Sequence, residues 1–414
     1  MFKKTNNLFD YYYAILLAAS TIGLIFPYGF PLIYLLIFIF FIHSLINKKI
    51  SIKLNIGVIL LFLLILFHYL GFLMTYENMN MIVRTDSIGT ILIIMLTLLN
   101  GNSHRYSLVN IRNMFFVYLT IFIPPLAALS LYKYYSYNKG IMIDLFVFEG
   151  KTYPWGTSLM SDYNMFALGM LTGVIGIFWT MVKSKSKFVK IYCLLSLPFI
   201  MYSIYLSGSR RGLVVLGIVI IYIGIISVIK LYKNSVKNNL LVVAFSMLIL
   251  LIFLNTNFLS NTIIQGQDIQ AHQNRYDTLN NIDGAFSSRG VRWSYAAELI
   301  NEFKIHNYIL GSGFDYIESY GNKFNTINRV DYPHNIFISA FLYSGIIGVT
   351  TLVLFLLLPL VRFIKYRAFF PFEIVFIYVI NLLFLIVSGN SFFSIHILWI
   401  LTTLITSINF KRSK

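Results

Sequence analysis

IYCLLSLPFIMYSIY (191–205), LSGSRRG (206–212) and LVVLGIVIIYIGIISVI (213–229) follow one another without a gap. Two apolar runs flank a short polar break that carries two adjacent arginines and no neighbouring carboxylate. A helix that crosses a bilayer needs roughly 20 mostly apolar residues, and 188–206 and 212–229 each come close to that length. The break is then a turn at a membrane face, and the fold follows from how often the pattern recurs.

It recurs along the whole chain. The 414 residues are 58% hydrophobic and 11% charged, with a mean hydropathy of +0.76. A soluble chain of this length would need far more polar surface, so the composition predicts an all-α polytopic integral membrane protein. Candidate spans fall at 11–26, 29–46, 55–75, 87–100, 113–132, 162–182, 188–206, 212–229, 239–256, 335–361, 371–388 and 392–410, about 12 in all. The segment 1–256 would hold the first nine spans, 257–333 one large outer loop, and 334–414 the last three. MFKK and the apolar run after it read as an uncleaved first helix, since further spans follow at once.

Basic residues set the expected orientation. With a cytoplasmic N-terminus, 20 of the 32 lysines and arginines fall on inside segments, from Lys3 and Lys4 through Lys183, Lys185, Lys187 and Lys190 to Lys411, Arg412 and Lys414. Short outside loops are nearly bare, as the positive-inside rule expects. Both termini are therefore expected in the cytoplasm. Lysines next to anionic lipid account for most of the net charge of +17, so no nucleic-acid partner is implied. The single cysteine, Cys193, lies within an apolar run and can build neither a disulfide framework nor a thiolate metal site.

Polar chemistry concentrates in the 257–333 loop, which holds eight of the fifteen acidic residues. Loops this long are usually functional or disordered. Within it, SSRGVRWSYAAELINEF (287–303) spaces Trp293, Ala296, Ala297, Ile300 and Phe303 as an amphipathic helix, with Ser288 as N-cap and a Gly311-Ser312-Gly313 turn after it. That helix is expected to lie along the membrane surface.

Three features could carry chemistry. Arg210 and Arg211 sit at the expected outer end of a span, where positive charge is disfavoured. An unpaired arginine near the hydrocarbon boundary costs on the order of 1–3 kcal/mol. Snorkelling is the plain alternative, but the tight Ser207-Gly208-Ser209 turn leaves little stem length for it. A phosphate ligand would satisfy the guanidinium forks, and Ser207 and Ser209 could place further donors on it. Arg289 and Arg292 share one helix face, either as ligand contacts or paired with Glu298 or Asp283. His334 and Asn335 open the 335–361 span at the outer boundary, where a histidine is more often a cap than a base. No Asp-x-Asp cluster of the metal-dependent nucleotide-sugar transferases appears outside the apolar runs.

Taken together and in order, these elements resemble the O-antigen polymerase and O-antigen ligase superfamily (Wzy-type) of bacterial inner-membrane glycan enzymes. LSGSRRG is similar to its Ser-x-Ser-Arg-x-Gly element. The SSRGVRW helix with LGSGF is similar to its outer loop, and PHNIFISAFLYSGIIG (333–348) to its His-Asn span start. SDYNMFALGM (161–170) is similar to a weaker Asp-x-Asn-x-x-Ala element. The resemblance implies a GT-C-like glycosyltransferase acting at the periplasmic face on an undecaprenyl-pyrophosphate-linked glycan, with neither metal nor cofactor. It implies that Arg210 and Arg289 bind the donor pyrophosphate, with Arg211, Ser207, Ser209, Arg292 and Asn335 as substrate contacts. His334 would be the general base. Membrane lipid, a chain-length regulator and a flippase are the expected partners. Polymerase is favoured over ligase. A lipid-linked sugar transporter is the rival of another class, and it would draw on His43, His68, Asp162, Glu373 and His396 in or beside spans.

Overall fold

The structure is a computed structural model. It describes residues 8–26, 29–47, 55–73, 91, 94–98, 107–146, 154–233, 282–313, 320–321, 333–388 and 396–407. Those residues are helical with connecting turns and, among them, form no strand. The helices are α1 (Leu8–Ile25), α2 (Gly29–Ile46), α3 (Ile56–Leu73), α4 (Leu108–Asn138), α5 (Tyr163–Lys183), α6 (Lys187–Leu206), α7 (Arg210–Lys233), α8 (Ile282–Asn301), α9 (Ile305–Leu310), α10 (Ile336–Lys365), α11 (Phe372–Ser388) and α12 (His396–Ser407). Of these, α1, α4, α5, α6 and α10 are long and apolar enough to cross a membrane. The expected span at 239–256 lies outside the described residues, as does most of the one at 87–100.

The membrane reading is visible in which side chains face outward. On α6 the exposed large residues are Phe188, Ile191, Leu195 and Phe199, spaced three or four apart, and 56–79% of each is accessible. Val214, Ile218, Ile221 and Ile225 repeat the stripe on α7, and Leu354, Leu357, Val361 and Ile364 on α10. Soluble proteins rarely expose apolar stripes of this length, whereas lipid accepts them. Proline is tolerated inside such helices because neighbouring groups satisfy the freed carbonyls. Pro124 and Pro125 lie in α4, Pro198 in α6 and Pro359 in α10.

The chain divides into two compact units. The first holds Met1–Ser20, Phe30–Met114 and Asp283–Lys414, and the second Thr21–Gly29 and Phe115–Ile282. In the first unit α3, α10, α11 and α12 pack on one another, with α9 laid against α10 and α3. Trp399, Phe355 and Tyr378 fill its core, and the Tyr378 hydroxyl donates to the Leu356 carbonyl at 2.7 Å.

In the second unit α5 is the hub, buried almost continuously from Met165 to Phe178, with α6 and α7 packed on it. Its glycines explain how neighbours come so close. Gly169 abuts Thr21, Leu24 and Ile25, Gly173 abuts Ile123, and Gly176 abuts Phe116 and Leu119.

Candidate functional site

The arginine turn belongs to the second unit and is built from its own serines. Ser207 Oγ donates to the Ile204 carbonyl at 2.6 Å and accepts from the Ser209 amide at 3.3 Å. Gly208 takes φ 73° between them, a conformation suited to glycine. Ser209 Oγ accepts from the Gly212 amide at 3.0 Å and so caps α7, while its hydroxyl donates to Asn164 Oδ1 at 3.0 Å. Asp162 caps α5 by accepting from the Asn164 and Met165 amides. Ala167 lies so close to Gly212 that an added Cβ would stand 2.7 Å from it. SDYNMFA and LSGSRRG are therefore one interlocked element rather than two separate motifs.

Arg210 and Arg211 open α7 from this turn, both half-buried. The helix start places the positive end of a backbone dipole beside them. Nη1 of Arg211 is buried and has no hydrogen-bond acceptor among the described residues. Ser207 and Ser209 are themselves fully buried, and their hydroxyls are taken up in shaping the turn.

The histidine belongs to the first unit. Asn335 Oδ1 caps α10 by accepting from the Phe337 and Ile338 amides at 3.0 and 3.3 Å. His334 stands immediately before it, half-buried, with φ 54°, the one positive φ of a non-glycine residue among the described residues. Left-handed backbone at a non-glycine position is uncommon and clusters at functional sites. It is held from α8, where Trp293 Nε1 donates to the Pro333 carbonyl at 3.3 Å. Tyr320 braces the same helix by donating to the Arg292 carbonyl at 2.7 Å.

Farther along α10, Gly345 breaks the helix with φ 63° and ψ −165°. The Leu342 carbonyl beside the break accepts from both the amide and the hydroxyl of Ser312, at 2.8 and 3.0 Å. The Gly311-Ser312 turn thus fills the notch that Gly345 opens.

Several charged and titratable residues elsewhere among the described residues have structural partners. Arg112 Nη1 meets Glu373 Oε2 at 3.1 Å, with both side chains largely buried. Asp10 accepts from the Ser107 amide and the Asn110 side chain. His396 Nε2 shares a hydrogen bond with the Tyr34 hydroxyl at 3.2 Å, and His43 with Asn47 at 3.3 Å. The side chain of His68 lies outside the described residues. Among the described residues, no three His, Cys, Asp or Glu side chains gather as metal ligands.

Residues 191–353, from within α6 through α7, α8 and α9 into α10, match the family model described as O-Antigen ligase. Over these residues the chain is similar to the O-antigen polymerase and ligase superfamily. No curated protein matches the chain. Members of that family are membrane glycosyltransferases or ligases, in keeping with the long apolar helices of this chain.

Within the matched residues the expected site residues divide. Arg210, Arg211, Ser207 and Ser209 form one turn in the second unit, whereas Arg292, His334 and Asn335 belong to the first. Arg289 lies on α8 one turn before Arg292, and its side chain falls outside the described residues. The helix also begins earlier than the sequence suggested, at Ile282, so Ser288 is inside it rather than capping it. Nothing from 282 to 288 stops a helix, since one glycine costs only about 1 kcal/mol. Ala296 and Leu299 are its buried positions, whereas Trp293 is 39% exposed.

Sequence reading passed over Lys133. It is completely buried, and its Nζ donates to the carbonyls of Pro154, Gly156 (2.9 Å) and Ser158 (2.8 Å). The one available signal was a lone lysine at the polar end of a long apolar helix.

Proposed function

We propose that the protein polymerises undecaprenyl-pyrophosphate-linked oligosaccharide repeat units into a surface polysaccharide, an O-antigen or capsule, at the outer face of the bacterial inner membrane. The observation that carries this proposal is the buried Nη1 of Arg211, without an acceptor among the described residues, on a turn inside the matched family domain. A buried guanidinium N–H calls for an anionic partner. The diphosphate of a lipid-linked donor would supply one.

In this reaction an acceptor hydroxyl attacks the anomeric carbon of the donor sugar, and the anomeric C–O bond to the pyrophosphate breaks. Negative charge grows on the departing diphosphate, where fixed guanidiniums stabilise it. Arg210, Arg211 and Arg289 take that role. His334 accepts the hydroxyl proton, so the imidazole must be neutral at the start. Neither a metal nor a nucleotide takes part, so chelators should leave the purified enzyme active.

The ligase reading shares the same family match, described as O-Antigen ligase. It differs only in the acceptor, which would be lipid A–core, a protein or a wall component. The transporter reading loses support, because Asp162, Glu373, His43 and His396 are each engaged within the fold. Lipid-linked glycan from a deletion strain separates the three. Polymerase predicts capping by a single repeat. Long chains stranded on the carrier would indicate ligase, and repeat units held on the inner leaflet would indicate a transporter. The residue roles are tested by Arg210→Ala, Arg289→Ala and His334→Ala, each expected to abolish extension at normal membrane abundance. Arg210→Lys should also be poor, because a point charge cannot replace the bidentate fork.

A further inference from the structure

Lys133 ends in a cage of main-chain oxygens, the carbonyls of Pro154, Gly156 and Ser158. Three acceptors call for three N–H bonds, which an ammonium has and a neutral amine lacks. Such a lysine is costly to bury, so what it holds in place matters.

It holds the 154–158 segment, and that segment holds the C-terminal end of α6. The Thr157 hydroxyl donates to the Ser203 carbonyl at 2.5 Å, and the Thr157 amide to the Leu206 carbonyl at 3.3 Å. Gly156, at φ 54°, lies against the Leu206 carbonyl so closely that a side chain there would collide with it. Ser130, one turn before Lys133 on α4, shares a 2.6 Å hydrogen bond with Ser203. Leu131 and Tyr134 pack on Leu206, with Tyr202 and Tyr205 alongside. Ser207, Gly208 and Ser209 follow directly, and then the two arginines.

We propose that Lys133 is a positioning residue for the arginine turn. It clamps the 154–158 segment onto Leu206 and thereby fixes where Arg210 and Arg211 begin α7. This rests on the donor-binding role proposed for those arginines. Displacing a transition-state contact by about 1 Å can cost on the order of a hundredfold in rate. The loss should fall on kcat, because the contact matters most when charge has developed on the leaving diphosphate.

The test uses the full-length protein in detergent, with Lys133→Met as a variant of similar shape lacking donors. Hydrogen exchange is expected to speed up about tenfold or more in peptides covering 155–160 and 206–212, and to stay unchanged in 336–344. With lipid-linked repeat units as substrate, kcat is expected to fall on the order of ten- to a hundredfold at constant acceptor KM. Thr157→Val, which removes only the bond to Ser203, should give a smaller change of the same kind and replaces Lys133→Met if that variant fails to reach the membrane. Wild-type exchange in these peptides overturns the inference, as does faster exchange with unchanged turnover. A fully active Arg210→Ala variant overturns the donor role instead, and exchange alone then decides whether Lys133 orders the turn.

Discussion

Ser209 donates its hydroxyl proton to Asn164 Oδ1 at 3.0 Å while the same oxygen caps α7 through Gly212. One side chain thus ties the first turn of α5 to the first turn of α7. Losing a helix cap costs about 1 kcal/mol, and losing a neutral hydrogen bond about as much. Ser209→Ala removes both, whereas Asn164→Ala removes the tie and leaves the cap. Thermal denaturation of purified protein should therefore rank wild type above Asn164→Ala above Ser209→Ala. The double variant should be no less stable than Ser209→Ala, since the shared bond is already gone. Additive losses would show that the two residues act independently.

The left-handed backbone of His334 can be separated from its imidazole. Glycine reaches φ 54° freely, whereas a β-branched residue resists it. His334→Gly and His334→Val both lack a base, so neither should extend glycan chains. Their stabilities should differ by about 1–2 kcal/mol in favour of glycine, read as the higher melting temperature. Equal melting temperatures would mean that the Trp293 bond to Pro333 does not hold this conformation.

How far the sequence reached depends on the range of each interaction. Hydropathy over some twenty residues is a local sum, so the helices around 191–229 and 336–361 could be read directly. At the start of α10 the cap reading fell on His334, one residue before the Asn335 that performs it. Ser288 misled because the residues before it are also compatible with helix. The tie from Asn164 to Ser209 spans 45 positions, and the Lys133 cage is made of backbone oxygens, which carry no residue-type signature. The Gly345 notch depends on the Gly311-Ser312 turn lying in it, a contact across more than thirty positions that no local pattern announces.

Arg112 and Glu373 offer a control away from the proposed chemistry. Their side chains are only 12% and 17% exposed, so removing one partner leaves a poorly solvated charge. Glu373→Gln should lower thermal stability by roughly 1–3 kcal/mol while the glycan-chain length per active molecule stays unchanged. A loss of activity without a loss of stability would instead return Glu373 to the functional residues and revive the transporter alternative.

Gly345 and Gly311 give the sharpest structural test. Gly345 has φ 63° and ψ −165°, and Gly311 φ 81° and ψ −175°. Both lie in a region of backbone space that is essentially glycine-only. Each also faces main chain, since a Cβ on Gly345 would meet Ile309 and Gly311, and one on Gly311 would meet Tyr343 and Ser344. Backbone cannot swing aside as a side-chain tip can, so Gly345→Ala and Gly311→Ala should each cost about 1–3 kcal/mol. Either change would push the Ser312 donors away from the Leu342 carbonyl, and α10 would lose the contact that satisfies its break. Gly290 is the matched control: it sits inside α8 with nothing within 4 Å of an added Cβ. Gly290→Ala should raise stability by roughly 0.5–1 kcal/mol through helix propensity alone. A melting temperature for Gly345→Ala at or above that of Gly290→Ala would mean that α10 runs straight and that the Gly311-Ser312 turn does not dock into it.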